Sequence, residues 1–317
     1  MPRAASVRVV ALLNPMAGAA ANRQVAAAVE AMEAAGIDAE IIAAQGSEID
    51  SALRSVVVAA VDAVVVGGGD GTIRTAAAAL MDTGVPLGIL PLGTFNHFAK
   101  DLGIPMELAD AARTISTGAV RRVDVASVNG AVFVNNSSIG LYPQMVRVRE
   151  EQRARLGRGK WPAFVLATIA ALRRFPMVEV RCDVDARSFH RVTPFTFVGN
   201  NRYVLNGLAL GGRGSLAEGR LCLHLVNRPN RLGLFRLAMR AVLGRLQVDR
   251  EIESVVATEL SIATRRRWVH VSTDGEVAVM RTPLQYRIHP GALSVITPIA
   301  DAEGAETTGQ SRNMPER

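Results

Sequence analysis

Up to about Val120 the chain alternates β-branched, strand-like runs with alanine-rich helical ones: VRVVALLN, AANRQVAAAVEAMEAAG, AEIIA, EIDSALRSVVVAA, DAVVVGGG, TIRTAAAALMDTG and PLGIL. Strand, helix and strand in that order repeat the unit of a parallel sheet covered by helices. Beyond it the texture changes to short apolar runs separated by turn residues, among them VRRVDVASVNGAVFVNNSS, MVEVRCDVD, TPFTFVGN, GRLCLHLVN and ELSIATRRRWVHVST. These predict a mostly antiparallel second domain. The expected division is an α/β domain over residues 1–125, a second domain over 126–298 and a disordered tail over 299–317. Two helical segments, near residues 143–175 and 232–246, interrupt the second domain.

The run VVVGGGDGTIRTA turns the chain at the C-terminal end of a buried strand, which is where α/β sheets bind ligands. Glycines there let backbone amides approach a phosphate, and the helix that follows adds partial positive charge. The plainer reading is a tight strand-to-helix turn. Asp70 would repel a bare phosphate, so it makes sense if it engages a magnesium ion on that phosphate or orients a substrate hydroxyl. Neither GxxxxGK(S/T) nor GxGxxG with its later ribose-binding acid occurs, which excludes a P-loop and a Rossmann site.

Composition narrows the partners. A chain of 317 residues, 49% hydrophobic, buries a large core. Its net charge of +7 comes from basic residues that are all arginine except Lys100 and Lys160, and it predicts attraction to phosphate-rich partners. Aromatics at 4% and the lack of any quotable nucleic-acid-binding signature speak against nucleic acid. Cys182 and Cys222 have no metal or disulfide spacing and read as small core residues of a reducing compartment. His190, His224, His270 and His289 have no ligand spacing. The N-terminal apolar run is too short for a secretory signal, and no segment reaches the roughly 18 apolar residues of a membrane span. The expectation is a cytoplasmic protein, soluble or peripheral.

Two further glycine-bearing loops belong to the same sheet edge: NPMAG, Asn14 to Gly18, and LGTFNHFAKDLGIP after the strand ending near Leu90. With GGDGT between them and a late DGE, Asp274 to Glu276, the chain resembles the diacylglycerol kinase catalytic domain family over about residues 7 to 298. The resemblance implies an ATP-binding α/β domain similar to NAD kinase, a β-sandwich-like lipid-binding domain whose last strand returns to the first, and a cleft between them. It implies that Asn14 and Gly18 border ATP, that Gly68, Gly69, Asp70, Gly71 and Thr72 wrap its phosphates, and that Thr94 and Asn96 close the site. Asp70 and Glu276 would be catalytic, Glu276 as proton acceptor for the lipid hydroxyl. Some bacterial members hold a structural magnesium at a position matching SLAEGRL, here Ser215, Glu218 and the backbone of Arg220.

The chain departs from the family pattern with Arg74-Thr75 where Asn-Glu is common, with His97 in place of aspartate, and with Glu218 in place of aspartate. Arg74 could reach a phosphate. The plainer readings are a charged turn around Glu218, a helix-starting His97 packed near Phe95 and Phe98, and an Asp-Gly hairpin at DGE. The arginine-rich helical segments, one carrying Trp161 and Phe164, suit either an anionic membrane surface or a solvated face on a packed helix. The function read from these features is ATP- and magnesium-dependent phosphorylation of a lipid alcohol, diacylglycerol foremost. An NAD kinase-like enzyme and a non-catalytic nucleotide- or lipid-binding regulator are the alternatives, and oligomeric state is left open.

Overall fold

The structure, a computed structural model, describes residues 8–14, 21–46, 48–59, 61–140, 177–185, 187–206, 209–226 and 252–299. Gly18, both arginine-rich helical segments and the tail beyond Ile299 lie outside the described residues.

The first half runs β1 (Val9–Leu13), α1 (Ala21–Ala34), β2 (Ala39–Ala43), α2 (Glu48–Val58), β3 (Ala63–Gly68), α3 (Asp70–Leu80), β4 (Leu87–Pro91), α4 (His97–Asp101) and α5 (Leu108–Thr117). These strands pair in parallel in the order β2-β1-β3-β4. Helix α3 shows why the sequence folds this way: Thr72, Ile73, Ala76, Ala77 and Leu80 recur at helical spacing and are the residues it buries. Ile73, Ala76, Ala77 and Leu80 join the core that also holds Val64, Val65 and Val66 of β3, all fully buried.

The second half is β-rich: β5 (Ala119–Val128), β6 (Ala131–Phe133), β7 (Asn136–Gly140), β8 (Val178–Val184), β9 (Arg187–Thr193), β10 (Phe195–Asn200), β11 (Tyr203–Asn206), β12 (Ala209–Arg213), β13 (Leu221–Val226), β14 (Ile252–Ala257), β15 (Glu259–Thr264), β16 (Trp268–Thr273), β17 (Glu276–Arg281) and β18 (Leu284–Thr297). Six of them form an antiparallel sheet, β14-β13-β10-β7-β16-β17. It packs through Val198, Leu223 and Val271 against Val180, Ile262 and Tyr286 of the other sheet, which makes the β-sandwich. Cys182 and Cys222 are free and buried in this part, and burial pushes their thiols up to about 12 and about 11.

The two halves share one sheet. β18 pairs parallel to β4 through Val295 and Leu87, antiparallel to β5 along nearly its whole length, and antiparallel to β15, from which β8 and β9 continue. A shift in register between His289 and Leu293 lets this 14-residue strand serve both halves. No helix among the described residues is long and apolar enough to cross a membrane.

Candidate active site

The glycines at the end of β3 answer to packing before chemistry. A Cβ on Gly67 would meet a Leu13 methyl at 2.6 Å, and one on Gly68 would meet the Thr72 side chain at 2.6 Å. On Gly93, in the loop after β4, it would fall 2.4 Å from the Gly69 Cα. The two loops therefore touch backbone to backbone, which larger residues forbid. Gly71 differs, because the atom its Cβ would strike, at 2.8 Å, is Glu276 Oε1.

Glu276 arrives there on a hairpin. Asp274 and Gly275, with φ of 48° and 89°, make the left-handed pair that a two-residue turn between β16 and β17 requires. The expected Asp-Gly turn is present, and it delivers Glu276 to the first turn of α3. There Arg74 donates from Nη2 to Glu276 Oε2 and, at 3.5 Å, from Nη1 to Thr273 Oγ1. Asp274 does different work: its carboxylate accepts the amides of Val134 at 2.8 Å and of Asn135 and Asn136 at 2.9 Å each. Burial pushes this acid up to about 6, against the opposing pull of those amides and of Arg74.

The remaining loop residues are tied to one another. Asp70 opens α3, and its Oδ1 accepts the Phe98 amide at 3.2 Å, which joins the glycine loop to α4. Asn14 donates to Thr72 Oγ1 at 2.7 Å and fixes the end of β1 to α3. Asn96 adopts φ of 50°, donates to the carbonyls of Gly93 at 2.9 Å and Pro91 at 3.3 Å, and accepts the Gly93 amide at 3.0 Å. Both of its amide protons are used within its own loop, so its role here is to shape that loop. Thr94 stands exposed beside it. His97 stacks on Phe95 at 5.6 Å between centroids and 6° between planes, both residues being exposed.

Asn14, Gly68, Gly69, Asp70, Gly71, Thr72, Asn96 and Glu276 thus come together at one end of the parallel strands, with Thr94 at the margin. Helix α3 begins after Gly69 with no side-chain cap, so its first amides carry partial positive charge between two carboxylates.

The residues expected to hold a second-domain metal are engaged with partners in the protein. Ser215 Oγ accepts the Ala217 amide at 3.2 Å, Glu218 lies 3.6 Å from Arg202, and the Arg220 carbonyl accepts the Asn201 amide at 2.9 Å. Among the described residues no group of three or more His, Cys, Asp or Glu could hold a metal ion. Asp124 organises this loop instead. Only 2% exposed, it takes the amides of Gly219 at 2.6 Å and Gly291 at 2.8 Å. Sequence reasoning passed over this acid, although a lone aspartate in the apolar run RVDVAS signals buried donors. It also passed over Arg213, whose buried guanidinium bonds Asp101 of α4 at 2.7 Å and the Val134 carbonyl at 2.6 Å. The text around that arginine, LGGRGS, carries no signal for it. A groove of about 580 Å³ runs beside Ser127, Glu259, Arg287 and His289, away from the glycine loop and its carboxylates.

A parallel α/β half whose strand ends carry a glycine-aspartate loop, met by a carboxylate from a β-sandwich half, defines the class of two-domain kinases with an NAD kinase-like architecture. Within that class the model named diacylglycerol kinase catalytic domain matches residues 8–128, and the YegS C-terminal NAD kinase beta sandwich-like domain matches residues 142–297. The chain belongs to the diacylglycerol kinase catalytic domain family. It is 29% identical over 217 residues to the diacylglycerol kinase of Bacillus subtilis, a match covering 67% of this chain and 70% of that one. It is 31% identical over 163 residues to a protein of Klebsiella pneumoniae named "Probable lipid kinase YegS-like", of which the match spans about half, 54%, and 50% of this chain. A solved diacylglycerol kinase structure from Bacillus anthracis shares the fold, with a TM-score of 0.67 at 23% identity over 92% of this chain and 97% of that one.

Proposed function

We propose that the protein transfers the γ-phosphoryl group of ATP to the hydroxyl of a lipid, with diacylglycerol as the leading acceptor. The observation that carries this reading is Glu276, brought by the β16–β17 hairpin to the Gly71 backbone at the start of α3. A carboxylate there can orient an acceptor hydroxyl in line with a phosphate on the helix amides and take its proton as the bond to phosphorus forms. Asp70 and Glu276 flank an uncapped helix end, an arrangement that suits a phosphate carrying its own magnesium better than a bare polyanion. Asp70 would hold that ion, which supplies charge neutralisation when bound. Arg74, anchored on Glu276 and Thr273, adds positive charge to the same corner.

The reading places the enzyme in the cytoplasm, bound peripherally to anionic membrane through the arginine-rich segments, and vesicle flotation at low salt tests that attachment. Turnover of labelled ATP with diacylglycerol, a sphingoid base, a polyprenol or NAD, read by mass shift of the product, tests the activity. Phosphorylation of NAD alone, or of nothing, would overturn it.

A further inference from the structure

The six-stranded sheet has one face in the second core, through Val198, Leu223 and Val271. On its other face five residues fall into a single row: Ser272 pairs with Ser138, Ser138 with Phe197, Phe197 with His224, and His224 with Ser254. Directly paired residues of antiparallel strands share a face. Contacts agree, with the Phe197 and His224 rings 5.7 Å apart and His224 Nδ1 at 2.8 Å from Ser254 Oγ.

This row is buried yet unsatisfied. Ser272 and Ser138 are each 2% exposed and His224 is 5% exposed. Ser272 Oγ, Ser138 Oγ and His224 Nε2 nonetheless have no hydrogen-bond partner among the described residues. Arg74 Nε and Thr196 Oγ1 share that condition but lie off this row, so three of the unsatisfied atoms belong to one row on one face, the two serines adjacent and His224 beyond Phe197. Buried polar groups left unpaired are costly and rare, and a cluster of them calls for an occupant that pairs them.

A lane of packed rings joins the row to the glycine loop. Asp70 holds the Phe98 amide, Arg213 lies 5.8 Å from the Phe98 ring and 5.5 Å from the Tyr203 ring, and Tyr203 meets Phe197 edge-on at 5.4 Å. Ser272 also directly precedes Thr273, the residue that touches Arg74.

We propose that Ser138, Ser272 and His224 form the acceptor-recognition strip of this site, pairing with the uncharged ester carbonyls of an acylglycerol. The row contains no carboxylate, guanidinium or ammonium, and burial holds the His224 imidazole neutral by pushing it down to about 4. We take the tautomer in which the Ser254 hydroxyl donates to Nδ1, so that Nε2 carries the proton and donates, as both serine hydroxyls can. Ester carbonyls only accept, so they match three such donors. A sphingoid ammonium buried in the row would find no opposite charge. The occupant's identity as an acceptor rests on the lipid-kinase reading, whereas its carbonyl chemistry rests on the row.

The test is direct binding, without ATP, of dioctanoylglycerol and of its dioctyl ether counterpart, which lacks carbonyls. The wild-type protein should bind the ester about tenfold more tightly, the equivalent of one or two neutral hydrogen bonds. In Ser138→Ala/Ser272→Ala, and in His224→Phe, that preference should collapse while ether binding persists. The melting temperature of the double serine variant should equal or exceed that of wild type, because it removes hydroxyls that have no partner. Equal binding of ester and ether by wild type, binding of neither, an unchanged preference in the double variant, or its marked thermal destabilisation would each overturn the strip. Because preference is read without turnover, a protein that selects the ester but phosphorylates no lipid alcohol overturns the kinase reading and supports the strip.

Discussion

At the residue scale the site turns on two carboxylates two positions apart with opposite surroundings. Glu276 is largely exposed and paired with Arg74, whereas Asp274 is buried and bonded to three backbone amides. Only Glu276 is placed to meet a substrate. Replacing it with glutamine keeps shape and hydrogen bonding but removes basicity, so turnover should fall by about 10²–10⁴ with the ATP dissociation constant nearly unchanged. Near-normal turnover in a folded Glu276→Gln variant would leave the residue as a turn glutamate. Asp274 should show itself in stability. Its folded-state value, about 6 against an ordinary 3.8, means that the folded protein binds the proton more tightly than the unfolded chain. Its contribution is therefore greatest below the unfolded value and is lost as pH rises from about 4 through about 6. Denaturant titrations across that range should show the stability of wild type relative to Asp274→Asn falling as pH rises. His224, depressed to about 4, acts in the opposite sense, so the comparison with the variant is the one that isolates Asp274.

At the element scale, the two loops that face the helix amides hold each other in place. Gly69 and Gly93 meet with no room for a methyl group, and a Cβ on Gly93 would also lie 2.6 Å from Asn96 Oδ1. The obstacle is backbone, which cannot rotate aside, so Gly93→Ala should push the loops apart. The expected cost is about 1–3 kcal/mol of stability by urea denaturation, with weaker ATP binding. Unchanged binding would place the nucleotide elsewhere. This close approach was not legible in the sequence, which shows where glycines stand but not what they touch. The strands, helices and turn type were legible, because β3, α3 and the Asp-Gly hairpin announce themselves through local periodicity and turn chemistry. Asn14, Asp70, Asn96 and Glu276 were legible only through the order of their motifs. What each one bonds depends on partners far along the chain, as with Asp70 and the Phe98 amide or Arg74 and Glu276. Asp124 and Arg213 escaped notice for the same reason, since their partners, Gly291 and Asp101, lie in other elements.

At the scale of the whole molecule, β18 makes the two halves one folding unit. Texture along the sequence suggests two separate bodies, yet β4 and β5 both pair with this last strand, and Leu293 and Val295 are fully buried among first-half residues. A fragment ending at residue 130 would keep β1 to β5 but leave one edge of β4 open and uncover Val123 and Val125, both now fully buried. Unpaired edges and exposed cores of that kind lead to aggregation, not to a cooperative fold. That fragment should therefore lack a cooperative unfolding transition. The register supplies the remedy, because β5 and β18 are antiparallel with Val128 opposite Tyr286, and Asn129 already exchanges hydrogen bonds with Gln285. A short glycine linker from residue 130 to residue 284 would close these strands as a hairpin and return β18 to β4. Joining residues 284–299 to the fragment in this way should restore a cooperative transition in circular dichroism, whereas adding the same segment with its order reversed should not. Cooperative unfolding of the bare fragment would show that the parallel half stands without β18, and failure of the joined version would show that it needs the sandwich as well as the strand.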